Sequence, residues 1–158
     1  MKLSTRARYG LRALIDLAIY SEIETVSIQS IASRQNISVS YLEQLMAKMK
    51  KAGLVESTRG ACGGYRLAQP IDQISVGDVL RVLEGSLEAV ECTGYSATNT
   101  CEGADFCAAK YVWKRINDSI TDAVDHLMLG ELIEESRIKK LEKLRFFVSG
   151  KGLTDTYF

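Results

Sequence analysis

Residues 38–68 read SVSYLEQLMAKMKKAGLVESTRGACGGYRLA, and the two halves of this stretch follow different patterns. Apolar residues recur in the first half at the spacing of one helix face, namely Leu42, Leu45, Met46 and Met49. Ser38 is a residue type that caps helix N termini, and Gly53 is one that ends helices. The first half therefore predicts an amphipathic helix from Ser38 to about Lys51.

The second half predicts a two-stranded β wing. Residues 54–58 and 65–68 have strand character, and the glycines between them permit a tight turn. Arg59 lies at the predicted tip, where an arginine can enter the minor groove of A·T-rich DNA or remain a solvated loop charge. Cys62 lies in the same turn, and we interpret it as a small residue that the turn tolerates rather than as a redox switch.

Shorter patterns on both sides complete the fold. A short helix from Ser27 to about Asn36 precedes the helix that starts at Ser38. Two short helices joined by a few residues predict a helix-turn-helix. A basic helix capped by Ser4 comes before them. A helix with Ser75 and Asp78 as its capping box follows the wing and is expected to complete the core.

The solvent side of the helix that follows Ser38 carries the candidate DNA contacts. The polar residues of that side are Ser40, Gln44, Lys48 and Lys51, with Tyr41 alongside. Gln44 can bond an adenine edge, Ser40 a base or a phosphate, and the lysines the phosphate backbone. The alternative is an ordinary solvated polar face, which the neighbouring helix and wing make less favourable.

The chain has 158 residues, enough for one compact domain with an appendage. Its charged residues are distributed unevenly between the two halves. Residues 1–66 carry ten Lys or Arg against five acids, whereas residues 67–158 carry ten against fifteen. Only the first part favours phosphate. No segment approaches the roughly 20 apolar residues that cross a bilayer, so we expect a cytoplasmic protein with no membrane partner. In that reducing compartment clustered cysteines favour ligands or reactive thiols over disulfides.

Three cysteines lie close together in the segment SLEAVECTGYSATNTCEGADFCAAK, at positions 92, 101 and 107. The spacing of Cys92, Cys101 and Cys107 is looser than the paired CxxC of a structural zinc site. Soft thiolates suit an iron-sulfur cluster, zinc or copper, and three of them leave one coordination position to another group. Local candidates for that group are Glu91, Glu102, Asp105 and Lys110. Reduced thiols without a metal are the alternative.

A long amphipathic helix is predicted after Cys107. Its apolar residues step at helical spacing, namely Trp113, Ile116, Ile120, Val124 and Leu127. We expect this stripe to be the seam of a homodimer that presents two recognition helices to a pseudo-palindromic site, with an intrachain core helix as the alternative. His126 is expected at the surface, and residues 131–147 look like a charged helix.

With these elements in order, the chain resembles the IscR-type family of winged-helix regulators, whose relatives include NsrR and CymR. The resemblance spans residues 1 to about 130, and four segments carry it: MKLSTRARYGLRAL, ISVSYLEQLMAKMKKAGLVESTRGACGGYRLA, ISVGDVLRVLEG and CAAKYVWKRINDSI. It implies a DNA-facing helix with Ser38, Ser40, Tyr41, Gln44 and Lys48. It also implies Arg59 on a minor-groove wing and Cys92, Cys101 and Cys107 as cluster ligands. Members of the CymR type lack that cysteine trio.

Two positions depart from the family pattern. Cluster-biogenesis members offer a histidine three residues after the last cysteine, where this chain has Lys110. Arg8 replaces the acidic residue that some nitric-oxide-sensing relatives contribute from the first helix. The gap between Cys92 and Cys101 is also longer. A [2Fe-2S] and a [4Fe-4S] cluster both remain open.

The sequence thus predicts a mainly α fold with a small β wing: a winged helix-turn-helix over 1–86, a cluster loop over 87–109, a dimerisation helix over 110–130, and a C-terminal helix and tail over 131–158. We expect a homodimeric DNA-binding regulator, a repressor, that senses iron-sulfur status and controls cluster-biogenesis genes. Sensing of nitric oxide or redox state is the alternative within the family, and a zinc-stabilised protein-interaction module is the alternative outside it. An enzyme is disfavoured because the thiols lack a CxxC pair and a nearby histidine.

Overall fold

The computed structural model describes residues 3–21, 23–60, 63–90 and 106–148. Within these ranges the fold has six helices and one two-stranded antiparallel sheet, as the sequence predicts. In chain order the elements are α1 (Thr5–Tyr20), α2 (Ile28–Gln35), α3 (Val39–Lys51), β1 (Val55–Thr58), β2 (Gly64–Leu67), α4 (Val76–Glu84), α5 (Ala108–Asp125) and α6 (Leu129–Val148).

Serine side chains begin the first four helices, and each predicted cap is confirmed. Ser4, Ser27 and Ser38 each accept a hydrogen bond from a first-turn backbone N–H. Ser75 and Asp78 form a reciprocal capping box at α4. Asn36 ends α2 in the left-handed conformation, with φ 52°, and its N–H bonds the carbonyls of Ala32 and Ser33. Each serine N-cap stabilises its helix by about 1 kcal/mol.

The wing is joined to the segment that precedes α2. Its register pairs Val55 with Leu67 and Thr58 with Gly64, so both strands lie within a residue or two of the predicted bounds. Val26 forms an isolated antiparallel β-bridge with the wing, because it exchanges two 2.8 Å backbone hydrogen bonds with Tyr65. Gly64 permits this approach, since a Cβ there would lie 2.7 Å from the Val26 carbonyl oxygen.

The main core lies between α1, α2, α3, α4 and β1. Its largest fully buried side chains include Leu14, Leu17, Ile31, Leu42, Leu45, Met46, Met49, Ile74 and Leu83. Gly10 lets α1 pack closely on α4, because a Cβ at this position would collide with the Leu83 side chain. Leu129 and Ile133 also enter this core, so the first turns of α6 return to the winged-helix unit.

A buried carboxylate holds α1 and α2 together. Asp16 is 5% exposed, and its oxygens accept bonds of 2.7 to 3.0 Å from the Arg34 guanidinium and from Gln35. The hydrogen bond to Asp16 raises the pKa of Arg34, in spite of opposing desolvation. Because the raised value belongs to a cation, this contribution is complete below the unfolded pKa of arginine and does not vary near neutral pH.

Replacement of Asp16 by asparagine is expected to lower the free energy of unfolding by about 2 kcal/mol, because the Arg34 charge then loses its partner. Urea denaturation measures the change. Arg66→Gln is the matched control, since Arg66 pairs with Glu56 on the exposed wing, where such pairs contribute about 0 to 1 kcal/mol. Equal losses in both variants would contradict a special role for the buried network.

The α5 helix corrects the predicted seam. The helix ends at Asp125, so Leu127 lies beyond it, and Val124 and Leu127 pack within this chain against the small cluster of Ala7, Val76 and Leu80. The apolar stripe predicted from the sequence combined residues from two neighbouring faces of α5. A spacing of three and four residues fits both faces, so the spacing alone does not distinguish them. None of the helices in the described part of the chain has the length and apolar character to cross a membrane.

Candidate nucleic-acid interface and thiol site

The α3 helix presents a polar face to solvent. Ser40, Gln44 and Lys48 are exposed on it, one helical turn apart, while the opposite face is buried in the main core. Its last turn carries three lysines, Lys48, Lys50 and Lys51, which also suit the negative end of the helix dipole. The structure therefore brings together a hydroxyl, an amide and ammonium groups on one accessible helix face. Such groups bond base edges and phosphates.

Ser38 lies at the start of the same helix. Its hydroxyl oxygen accepts a hydrogen bond from the Tyr41 backbone N–H at 3.3 Å. A hydroxyl keeps its own hydrogen when it accepts, so Ser38 can cap α3 and still donate to a phosphate.

Tyr41 lies where α3 meets α1. Its ring meets Tyr9 of α1 edge-on, with centroids 6.2 Å apart and an interplanar angle of 88°. Its hydroxyl is buried and has no hydrogen-bond partner among the described residues. The guanidinium groups of Arg8 and Arg12 lie 5.2 and 5.5 Å from the Tyr9 ring centroid. Tyr41 is thus half-buried and packs α3 against the basic helix α1, and its predicted contact with DNA stays a prediction.

Arg59 follows the last residue of β1 and is exposed. Gly60, with φ 112°, begins the turn of the wing. Arg59 is therefore available at the wing, as the sequence predicts. Cys62 lies outside the described residues.

The thiol site is described only at Cys107. This cysteine is exposed and holds the N-cap position of α5, where its side chain makes no capping hydrogen bond. Cys92 and Cys101 lie outside the described residues, as do Glu91, Glu102 and Asp105. Lys110 is exposed in the first turn of α5. In the described ranges, no three His, Cys, Asp or Glu side chains form a group that could hold a metal.

The chemistry of Cys107 fits a thiolate-ligated metal group. An exposed thiol that is not used for capping is free to act as a ligand. The first turn of α5 contains no acidic residue, and a helix N terminus favours negative charge. A thiolate-bound cluster therefore meets a compatible environment at this end of the helix.

The outward face of α5 is apolar. Its exposed residues include Tyr111, Val112 and Ile116, and a groove of about 630 Å³ runs along it as far as Ala123. Sequence reasoning placed only Ile116 and Ile120 of this groove on the seam. At its other end α5 is joined to α4, because the Asp125 carboxylate pairs with Arg81 at 2.7 Å.

Asn117 is the residue that sequence reasoning missed. It is 6% exposed, and its Oδ1 accepts a 2.8 Å bond from the Ala89 backbone N–H. The available signal was the alternative spacing Trp113, Asn117 and Val124, which places one polar residue between two half-buried apolar ones on the same side of α5. A search for apolar residues at helical spacing does not detect a polar residue at such a position.

Comparison with known proteins decides the family. The family model of Rrf2, an iron-dependent transcriptional regulator, matches residues 3–135. The chain belongs to the Rrf2 family. The IscR regulator of Vibrio vulnificus is 39% identical over 138 residues, which cover 87% of this chain and 80% of that protein. The IscR of Cronobacter sakazakii is 38% identical and is covered over 83% of its length, with 87% of this chain.

Two solved Rrf2-type regulators share the fold. The T. potens IscR structure has a TM-score of 0.70 and 41% identity, covering 86% of this chain and 88% of that one. CymR, the global cysteine regulator of B. subtilis, has a TM-score of 0.69 and 38% identity, covering 85% of this chain and 98% of that one. These relatives are regulators and not enzymes. This Rrf2 protein is thus a DNA-binding transcriptional regulator of the IscR type.

Proposed function

We propose that this Rrf2 protein is a homodimeric repressor whose operator binding depends on an iron-sulfur cluster held by Cys92, Cys101 and Cys107. One observation carries the proposal: a single helix, α5, joins the three parts that such a switch needs. A thiol begins the helix, its outward face is apolar, and its last residue pairs with α4 of the DNA-binding unit. A change at the thiol end can therefore alter the placement of α3.

On DNA, α3 enters the major groove and the wing approaches the minor groove. Gln44 reads a base edge, Ser40 bonds a base or phosphate, and Ser38 and Lys48 bond the backbone. Arg59 reaches into the minor groove from the wing. Tyr41 supports the position of α3, because its ring packs against Tyr9 of α1. The exposure of the α3 face and of Arg59 supports this assignment.

Two copies pair through the outward face of α5. Tyr111 is 72% exposed and Val112 is 52% exposed, which is unusual for large apolar side chains in a row on one helix. Pairing would bury them and place the two α3 helices about one turn of DNA apart, on a pseudo-palindromic operator.

The cysteine trio would bind the cluster in the cytoplasm, and the cluster would supply a centre that responds to iron, oxygen or nitric oxide. Cys107 supports this assignment by its exposure and its place on α5. Lys110 lies where a fourth ligand would be sought, and the choice between [2Fe-2S] and [4Fe-4S] depends on that ligand. The cysteine trio favours the cluster-binding branch over the CymR type.

Anaerobic purification tests the proposal. We expect visible absorption with iron and acid-labile sulfide in the protein, and a change in operator affinity when the cluster is removed by a chelator. A protein that holds zinc without iron or sulfide would instead indicate a zinc-stabilised interaction module.

For the DNA face, Gln44→Ala is expected to cost about 1 to 3 kcal/mol on the preferred operator and to relax the preference at one base pair. Lys48→Ala should weaken all duplexes alike and lower the slope of log affinity against log salt by about one. Fluorescence anisotropy with a duplex selected from a random library measures both. Lys140→Ala on α6 is the control, and salt-independent binding by the unaltered protein would contradict docking led by phosphate contacts.

A further inference from the structure

The structure assigns a positioning role to Asn117: it fixes the beginning of the cysteine-containing segment onto α5. Among the 18 described residues of α5, only Asn117 is buried, with 6% of its surface exposed. Its Oδ1 bonds the backbone N–H of Ala89, which lies 28 positions earlier in the chain. What the segment binds rests on the proposed function, whereas the tether itself does not.

The choice of asparagine at this position is informative because it sacrifices apolar burial. Trp113 and Val124, both half-buried, flank it on one side of α5. A leucine there would continue this apolar side, whereas a buried amide costs free energy unless it is hydrogen-bonded. Isolated buried polar residues of this kind specify geometry, as a single asparagine does in a coiled-coil seam. The geometry specified here is the place where the chain leaves α4 and meets α5.

Chain lengths connect this tether to the thiols. Asn117 lies ten residues after Cys107, so about 15 Å of helix separate them. Cys92 follows Ala89 by three residues, and three residues span at most about 11 Å. Both ends of the cysteine segment are therefore held on one helix. The reach of about 11 Å covers most of the separation of about 15 Å, and the remaining distance of about 4 Å is close to that between the Cα atoms of a disulfide. The tether keeps Cys92 within range of Cys107.

Without the tether, the preceding anchor is Leu87, whose side chain packs against the small cluster. Five residues then lead to Cys92 in place of three, so its reach grows from about 11 to about 17 Å. The accessible volume grows as the cube of the reach. We therefore expect the effective concentration of one thiol at the other to fall roughly fourfold.

A thiol equilibrium tests the tether without any metal. In a protein with Cys62→Ser and Cys101→Ser, glutathione disulfide oxidises Cys92 and Cys107 to an intramolecular disulfide and is itself reduced to two glutathione thiols. The equilibrium constant gives the effective concentration. Asn117→Leu removes the acceptor at similar volume and should lower this concentration roughly fourfold. Asn117→Asp keeps an acceptor oxygen and should remain near the parent value.

Asp125→Asn is the matched control, because it weakens the other polar anchor of α5 without touching the cysteine segment. It should leave the thiol equilibrium unchanged. An unchanged value in Asn117→Leu, or an equal fall in Asp125→Asn, would overturn the proposal. Should Asn117→Leu fail to fold, hydrogen exchange of the unaltered protein decides the matter: the Ala89 amide is expected to exchange slowly, and rapid exchange would refute the tether.

The same variants then connect the tether to the cluster. In anaerobically purified protein with its native cysteines, Asn117→Leu should lose the visible chromophore to a chelator several-fold faster than Asn117→Asp does. A protein that holds no iron or sulfide would refute the proposed function alone, since the thiol equilibrium and the exchange of Ala89 still decide the role of Asn117.

Discussion

Cys107→Ser is expected to abolish the visible chromophore of anaerobically purified protein while leaving the helices intact. The structure makes this variant unusually clean, because the Cys107 side chain makes no capping bond that its replacement could break. Serine is a favoured N-cap residue and should stabilise the start of α5 by about 1 kcal/mol. Loss of the cluster would therefore not be a consequence of a damaged fold. Absorbance with iron and sulfide assays measures the cluster, and circular dichroism measures the helices.

Alanine at each cysteine of the trio extends this prediction. Cys92→Ala, Cys101→Ala and Cys107→Ala should each lose the chromophore, because each removes a thiolate donor from a site that has only three. Cys62→Ala is the control and should keep it. A cluster fully retained in all three variants would contradict the assignment of these cysteines as ligands.

Ile116→Glu should dissociate the proposed homodimer. Ile116 lies in the middle of the apolar groove on α5 and is 37% exposed. Pairing would bury a carboxylate against apolar side chains, so self-association is expected to weaken by roughly 100-fold or more. Operator affinity should fall with it, because each monomer then holds one half-site alone. Sedimentation equilibrium measures the dissociation constant.

Asp118→Ala is the control for this variant, since Asp118 lies on the polar side of α5 and pairs with Lys114 at the surface. Its self-association should match that of the unaltered protein. If Ile116→Glu stayed dimeric with an unchanged dissociation constant, α5 would not be the seam. The exposed apolar residues of α6, Ile138, Leu141 and Leu144, would then be the next surface to alter.

Local patterns predicted much of the fold. The serine caps, the buried stripe of α3 and the wing are all written within a few neighbouring residues, and the structure confirms them. Helix periodicity also placed Ser40, Gln44 and Lys48 on the exposed side. These features depend on interactions between residues close in sequence, which a period or a cap can report.

Contacts between distant residues escaped the patterns. The bond of Asn117 to Ala89 and the pairing of Asp16 with Arg34 bury polar groups where an apolar template expects none. Tyr41 was expected alongside the polar face of α3, and the pattern did not report its aromatic partner on α1, Tyr9. The charged helix expected over residues 131–147 is present, but the pattern did not report that Ile133 enters the core. Only the tertiary structure defines these partners.

The backbone bonds between Val26 and Tyr65 have a consequence for how operators are chosen. They attach the wing to the segment that leads into α2, so the wing cannot swing independently of the helix-turn-helix. In the proposed complex, the spacing between the major-groove and minor-groove contacts of one half-site is then set by the protein. In the proposed homodimer, a change in the distance between the two halves of an operator would be accommodated at the paired α5 helices, whereas the length of each half is fixed by the protein.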